Sequence, residues 1–96
     1  MSKYRAKVDS NQAEIVAAFR KLGFTVLHLH MVGKGCPDLA IGRNGVNTFV
    51  EVKDGTLAPS KRRLTPDEQK FFDTWPGPVV IVESVDDVLT LAEELQ

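Results

Sequence analysis

A single cysteine, Cys36, stands in the 96 residues, so no disulfide can form within the chain. A reducing, cytoplasmic setting is the expectation. No apolar run approaches the ~18 residues that span a bilayer. The first residues also lack the apolar centre of a secretory signal, so no membrane partner is expected. There is no internal repeat and no low-complexity stretch. Strong net charge is missing too, the formal total being −1. What is present is ordinary globular composition, 43% hydrophobic and 26% charged, which excludes a disordered tail or a fibre. At roughly 100–200 residues per domain the chain is one domain, spanning 1–96, and any site must be built on one small sheet.

The near-zero total hides an asymmetry. Residues 1–63 carry 11 Lys/Arg against 5 Asp/Glu, whereas residues 64–96 carry 1 Lys against 8 Asp/Glu. A basic side on a nearly neutral protein is compatible with a polyanionic partner.

Residues 1–8 are basic and aperiodic and read as a loose arm. A helix fits Asn11 to Leu22: Asp9, Ser10 and Asn11 are capping residues, Gly23 stops it, and Ile15, Ala18, Phe19 and Leu22 form an apolar stripe. Residues 24–30 and 38–42 read as strands separated by Gly33-Lys34-Gly35-Cys36-Pro37, and 47–53 as a third. Asn44-Gly45 marks a two-residue hairpin turn between the second and third. Thr65-Pro66-Asp67-Glu68 is a capping box opening a helix to about Trp75, and Pro76-Gly77-Pro78 ends it. The run Val79–Val82 reads as a strand buried on both faces, and Ser84 caps a last helix to about Leu95. The order α-β-β-β-α-β-α predicts a small mixed α/β sheet with helices on both faces.

The hairpin yields a chemical inference. If Asn44 and Gly45 are the turn, Arg43 pairs with Val46, every cross-strand pair sums to 89, and Asp38 lies opposite Glu51. Alternation then sets Asp38, Ala40, Phe49, Glu51 and Lys53 on one face, and Leu39, Ile41, Val50 and Val52 on the other. Opposed residues have Cβ atoms about 4.5–5.5 Å apart, where two carboxylates repel unless a cation lies between them. Oxygen ligands of this kind suit Mg²⁺ or Mn²⁺. Lys53, two residues past Glu51, adds an ammonium about 6–7 Å along the strand. The three together form a site suited to metal-assisted phosphodiester hydrolysis. A three-residue turn would shift the register and separate the acids.

Pro37-Asp38, followed 13 residues later by Glu51-Val52-Lys53, resembles the PD-(D/E)xK nuclease signature. With Glu14, Gly35-Cys36-Pro37-Asp38-Leu39, Phe49–Lys53 and Leu64-Thr65-Pro66-Asp67-Glu68-Gln69, about residues 9–83 resemble the viral-type replication-repair nuclease (VRR-NUC) family of that superfamily. The resemblance implies a restriction-endonuclease-like core and a Mg²⁺-dependent DNA endonuclease, with Mn²⁺ as a substitute. Asp38, Glu51 and the Val52 carbonyl would hold the ion, and Glu14 would complete the acidic site directly or through water. Lys53 would position or deprotonate the attacking water, and Gln69 would orient Lys53 or a phosphate. Cleavage would leave a 5′-phosphate and a 3′-hydroxyl. Stand-alone members resemble structure-selective nucleases, including dimeric Holliday junction resolvases. The resemblance thus implies branched DNA as partner and a homodimer acting in DNA repair or phage replication, in a bacterium or phage-infected host.

Other readings stand beside these. Glu14, three residues after Asn11, also fits a capping-box glutamate. Gln69 is by default a helix-surface residue. Cys36 reads as a small packed side chain, since no Cys or His partner has metal spacing. His28 and His30 share a strand face without a further ligand pair. Gly33-x-Gly35 lacks the lysine motif of a phosphate loop and reads as a flexible approach to Asp38. Phe71, Phe72 and Trp75 read as core. Lys34, Lys61, Arg62 and Arg63 are the phosphate-contact candidates. Two rival functions remain, a catalytically silent DNA-binding module and a small α/β interaction protein.

Overall fold

The computed structural model describes residues 8–96; the basic arm expected over 1–8 lies, but for Val8, outside the described residues. The elements are α1 (Gln12–Lys21), β1 (Thr25–His28), β2 (Leu39–Arg43), β3 (Val46–Val52), α2 (Pro66–Thr74), β4 (Val79–Val82) and α3 (Val85–Glu94), with a short 3₁₀ turn at Pro59–Lys61. The order matches the expected α-β-β-β-α-β-α. No helix among the described residues is long and apolar enough to cross a membrane.

The strands form one open sheet in the order β1-β2-β3-β4, antiparallel except for the parallel β3–β4 pair that α2 connects. Asn44 and Gly45 both have positive φ (56° and 80°), the mark of a two-residue turn whose twist matches that of the strands. Arg43 therefore pairs with Val46 and Leu39 with Val50, as the turn predicts.

Leu39, Ile41, Val50, Val52 and Val82 bury one sheet face against Ile15, Val16 and Phe19 of α1 and Val88, Leu91 and Ala92 of α3. On the opposite face α2 leans on the sheet through Phe71 and Trp75. These stack on each other (5.1 Å) and meet Phe49 edge-on at 5.6 and 4.9 Å. Over β1 and β2 that second face stays open: Leu27 is 59% exposed, and Thr25, Leu29, Ala40 and Phe49 line an apolar hollow.

Several expectations change, the core reading of Trp75 among them, since it stays 43% exposed at the end of α2. The first strand ends at His28, because Val32 N–H donates to the Leu29 carbonyl and turns the chain. β4 is not buried on both faces: it is an edge strand, and Ile81 is 42% exposed because α2 does not extend over it. Asn11 does not cap α1 with its side chain; its amide is used elsewhere. The capping box at Thr65 and the Ser84 cap form as expected.

Arg43 closes the core end of the molecule. Its guanidinium donates to the carbonyls of Leu22 (2.9 Å) and Ala92 (2.8 Å), tying the end of α1 to the end of α3, and lies 4.1 Å from the Phe24 ring centroid. Two charge-assisted bonds and one cation–π contact set the scale. Arg43→Ala is expected to lower unfolding free energy by about 2–4 kcal/mol in urea denaturation.

Candidate active site

The site begins where the β2–β3 ladder ends. Phe49 and Lys53 send their N–H groups to β4, to the carbonyls of Pro78 and Val82. Alternation turns the Val52 N–H and C=O toward β2. There the N–H meets a side chain rather than a backbone: Asp38 Oδ2 accepts it at 2.8 Å. Asp38 is held from the other side as well, since its carbonyl accepts from Leu29 N–H at 2.7 Å. Continuing the register by one residue beyond Leu39↔Val50 sets Asp38 opposite Glu51.

Glu51 is the unusual group. It is only 3% exposed, and its Oε1 is buried with no hydrogen-bond partner. Burial, with Asp38 and Glu68 as negative neighbours, pushes its carboxyl up to about 9. Burial also raises Asp38, against the opposing pull of the Val52 N–H. Lys53 is the cation beside them, with Nζ 2.8 Å from Glu68 Oε1 and 3.6 Å from Glu51 Oε2. Burial works against its charge, but the bond to Glu68 outweighs it and raises the ammonium. Glu68 moves down: burial alone would raise it, and Lys53 and the Thr65 N–H outweigh that. Its Oε1 serves twice, accepting from Lys53 and, at 2.8 Å, from Thr65 N–H, so the start of α2 is fastened to the acidic cluster.

Three carboxyl groups share one ammonium, and burial keeps the proton on Glu51, whose Oε1 has no donor: the cluster is short of positive charge for all three acids to ionise. Among the described residues no group of three or more His, Cys, Asp or Glu side chains is placed to hold a metal ion. A divalent ion here would rest on Asp38, Glu51, the Val52 carbonyl and water. Such oxygen-poor protein ligation is how Mg²⁺ is commonly held.

The structure places the remaining candidates as follows. Glu14 is exposed on α1 and lines a polar hollow with Ser10, Asn11, Asp54 and Glu83. The acid whose field reaches Asp38 and Lys53 from this end of the chain is Asp9. Gln69 is turned outward and donates to Asp73 Oδ1 at 2.9 Å. Its predecessor Glu68 faces Lys53, because successive helix residues point about 100° apart. Lys34, Lys61 and Arg63 are exposed. Arg62 is engaged, donating to the Leu57 carbonyl and to Glu83, both at 2.9 Å. The Cys36 thiol is pushed up by burial and by Glu51 and Asp38, which opposes a thiolate role. His28 and His30 sit edge to face 6.0 Å apart, on the face away from the acids.

Two positioning residues escaped the sequence reading. Glu68 was visible only as a cap, though a capping-box glutamate at the start of the post-strand helix was a usable signal. Asn11 donates to the carbonyls of both Lys53 and Glu83 at 3.1 Å, pinning the ends of β3 and β4 together. No local pattern distinguishes that role from an ordinary N-cap.

Gly35 joins the approach loop to the site. At φ +80° it lies directly on the Asp67 backbone, and a Cβ there would collide with the Asp67 carbonyl. Gly35→Ala is expected to lift the loop off α2, costing about 2–4 kcal/mol in thermal unfolding. Because Asp67 adjoins Glu68, the Glu68–Lys53 contact is expected to loosen with it.

Comparison with protein-family models, curated proteins and solved structures finds no match to this chain.

Proposed function

We propose that the chain is a metal-dependent, structure-selective DNA endonuclease of the VRR-NUC kind on a restriction-endonuclease-like core, acting on branched DNA such as a Holliday junction. The observation that carries this reading is the buried, unpartnered Glu51 oxygen beside Asp38. Evolution seldom keeps an uncompensated acid pair in a small protein unless a ligand completes it. Asp38, Glu51 and the Val52 carbonyl are the groups that would hold Mg²⁺, or Mn²⁺ in its place. Such an ion supplies Lewis acidity toward a phosphoryl oxygen and a lowered pKa for a bound water.

The chain's own residues do the rest. Asp38 is fixed by two backbone N–H groups, one on its side chain and one on its carbonyl, so the acid pair is preorganised. Lys53, steered by Glu68, presents its ammonium to the attacking water or to a non-bridging oxygen as negative charge builds there. One such site cuts one strand, so paired incision of a junction takes two copies, and a homodimer belongs to the proposal. The setting would be DNA repair or phage replication, in the cytoplasm of a bacterium or an infected host.

The test incubates the full chain with end-labelled duplex, flap and four-way DNA in Mg²⁺, Mn²⁺ or EDTA. Metal-dependent incision leaving a 5′-phosphate and a 3′-hydroxyl, fastest on branched DNA, is the expected result. DNA binding with no incision in either metal overturns it in favour of a silent DNA-binding module. Sedimentation with four-way DNA reads the stoichiometry, expected at two chains per junction.

A further inference from the structure

A groove runs between the Gly33–Cys36 loop and one stripe of α2. Asp67, Lys70, Phe71 and Thr74 line it from the helix, at the spacing of a single face, and Lys34 lines it from the loop. The loop is bent by three successive residues of positive φ, 77° at Gly33, 57° at Lys34 and 80° at Gly35. Lysine is poorly suited to that conformation, since its side chain makes no local hydrogen bond to offset the strain. The other non-glycine residue with positive φ among those described is Asn44, a favoured turn residue. A strained lysine kept between two glycines, and locked in place by the seat of Gly35 on Asp67, marks a side chain held for use.

The ammonium groups of Lys34 and Lys70 form no ion pair among the described residues. Asp67 is the one carboxylate in the groove, and it lies in the first turn of α2, where the helix dipole favours negative charge. Asp67, at one end of the groove, adjoins Glu68 in sequence, and Glu68 accepts from Lys53. From Asp67 to Thr74 the helix rises about 10 Å, long enough for the lysines to meet neighbouring phosphates of one strand.

We propose that this groove carries the phosphates of the DNA strand flanking the scissile bond, with Lys34 and Lys70 as its contacts. The proposal rests on the nuclease reading of the neighbouring acids. It also moves the DNA path away from Arg62, whose guanidinium is committed to Leu57 and Glu83.

The test measures binding of a labelled four-way junction in EDTA across a salt series. It compares the wild-type chain, Lys34→Ala/Lys70→Ala, Lys34→Gly, and the control Lys21→Ala, an exposed lysine of α1 outside the phosphate-contact candidates that is expected to leave binding unchanged. The double variant is expected to bind about tenfold more weakly. Its slope of log affinity against log salt should flatten by about 1.4–1.8, two contacts at ~0.7–0.9 each. Lys34→Gly should weaken binding while holding or raising the melting temperature, because it relieves the φ strain. An unchanged affinity and slope in the double variant, with cleavage intact in the wild type, overturns the groove and leaves the nuclease standing. A flattened slope in a chain that cuts nothing supports the groove and overturns the nuclease. Absence of DNA binding by the wild type overturns both.

Discussion

Glu51→Gln is expected to abolish metal-dependent cleavage and at the same time to stabilise the metal-free protein. The two effects share one cause. Glu51 is buried at 3% exposure beside Asp38, with one oxygen bonded to nothing. Glutamine keeps its shape, removes its ability to ionise, and supplies N–H donors to the neighbouring carboxylates. Cleavage should drop by about three orders of magnitude or more, since loss of a preorganised electrostatic group alone costs about 10²–10³ and ion binding is lost with it. Calorimetry should show Mn²⁺ affinity gone while the melting temperature in EDTA holds or rises.

The pH dependence follows with a definite sign. The Glu51 carboxyl sits near 4.5 ordinarily and is pushed up to about 9 in the folded chain. Across that window the folded state keeps a proton that the unfolded state has released. Stability is therefore fullest below the ordinary value and declines as pH rises toward about 9. In EDTA the wild-type melting temperature should fall over that interval relative to Glu51→Gln. A divalent ion competes with the same proton, so Mn²⁺ affinity should climb with pH over the same range and each binding event should release protons. A flat melting profile identical in both proteins would remove Glu51 as a buried acid and the metal site with it.

Lys53→Met separates chemistry from metal binding. Methionine retains an unbranched apolar stem and loses the ammonium, which now stands 2.8 Å from Glu68 and 3.6 Å from Glu51. Cleavage should fall by about 10²–10⁴, the range for a positioned proton-transfer or charge-stabilising group. The loss should appear in kcat rather than KM, because Lys53 acts where charge develops. Mn²⁺ affinity should persist, since Asp38, Glu51 and the Val52 carbonyl are untouched. The metal-free protein should melt earlier, Glu68 having lost its cation, and Mg²⁺ should restore part of the difference. Lys53→Arg restores charge but not the point geometry of an ammonium, so it should recover stability and leave the rate depressed. Full activity in Lys53→Met would reassign the lysine to structure.

The places where reading the chain succeeded and failed sort by the range of the forces involved. Asn44-Gly45 was legible because a two-residue turn admits few backbone solutions, and it carried the pairing of Arg43 with Val46 through to Leu39 with Val50. Thr65 and Glu68 were legible as a cap because the bonds that make a cap lie within four residues. Glu14 and Gln69 face solvent, which pattern alone does not reveal. Each lies on a helix whose face toward the sheet depends on distant partners. Ile15 and Phe19 anchor α1 in the core and leave Glu14 in solvent. Phe71 and Trp75 anchor α2 on Phe49 and turn Glu68, not Gln69, toward Lys53. Charge patterning was similarly blind at Arg62, since nothing nearby in sequence announces Glu83 as its partner.

The chain by itself therefore determined the opposition of Asp38 and Glu51, because a tight turn and a two-residue period are local and allow one register. Only the tertiary structure decided which further groups attend them: Glu68 on the lysine, Asn11 across the strand ends, Asp9 within electrostatic reach. The rotation of a helix about its own axis is set by long-range packing, and no short stretch of sequence contains it.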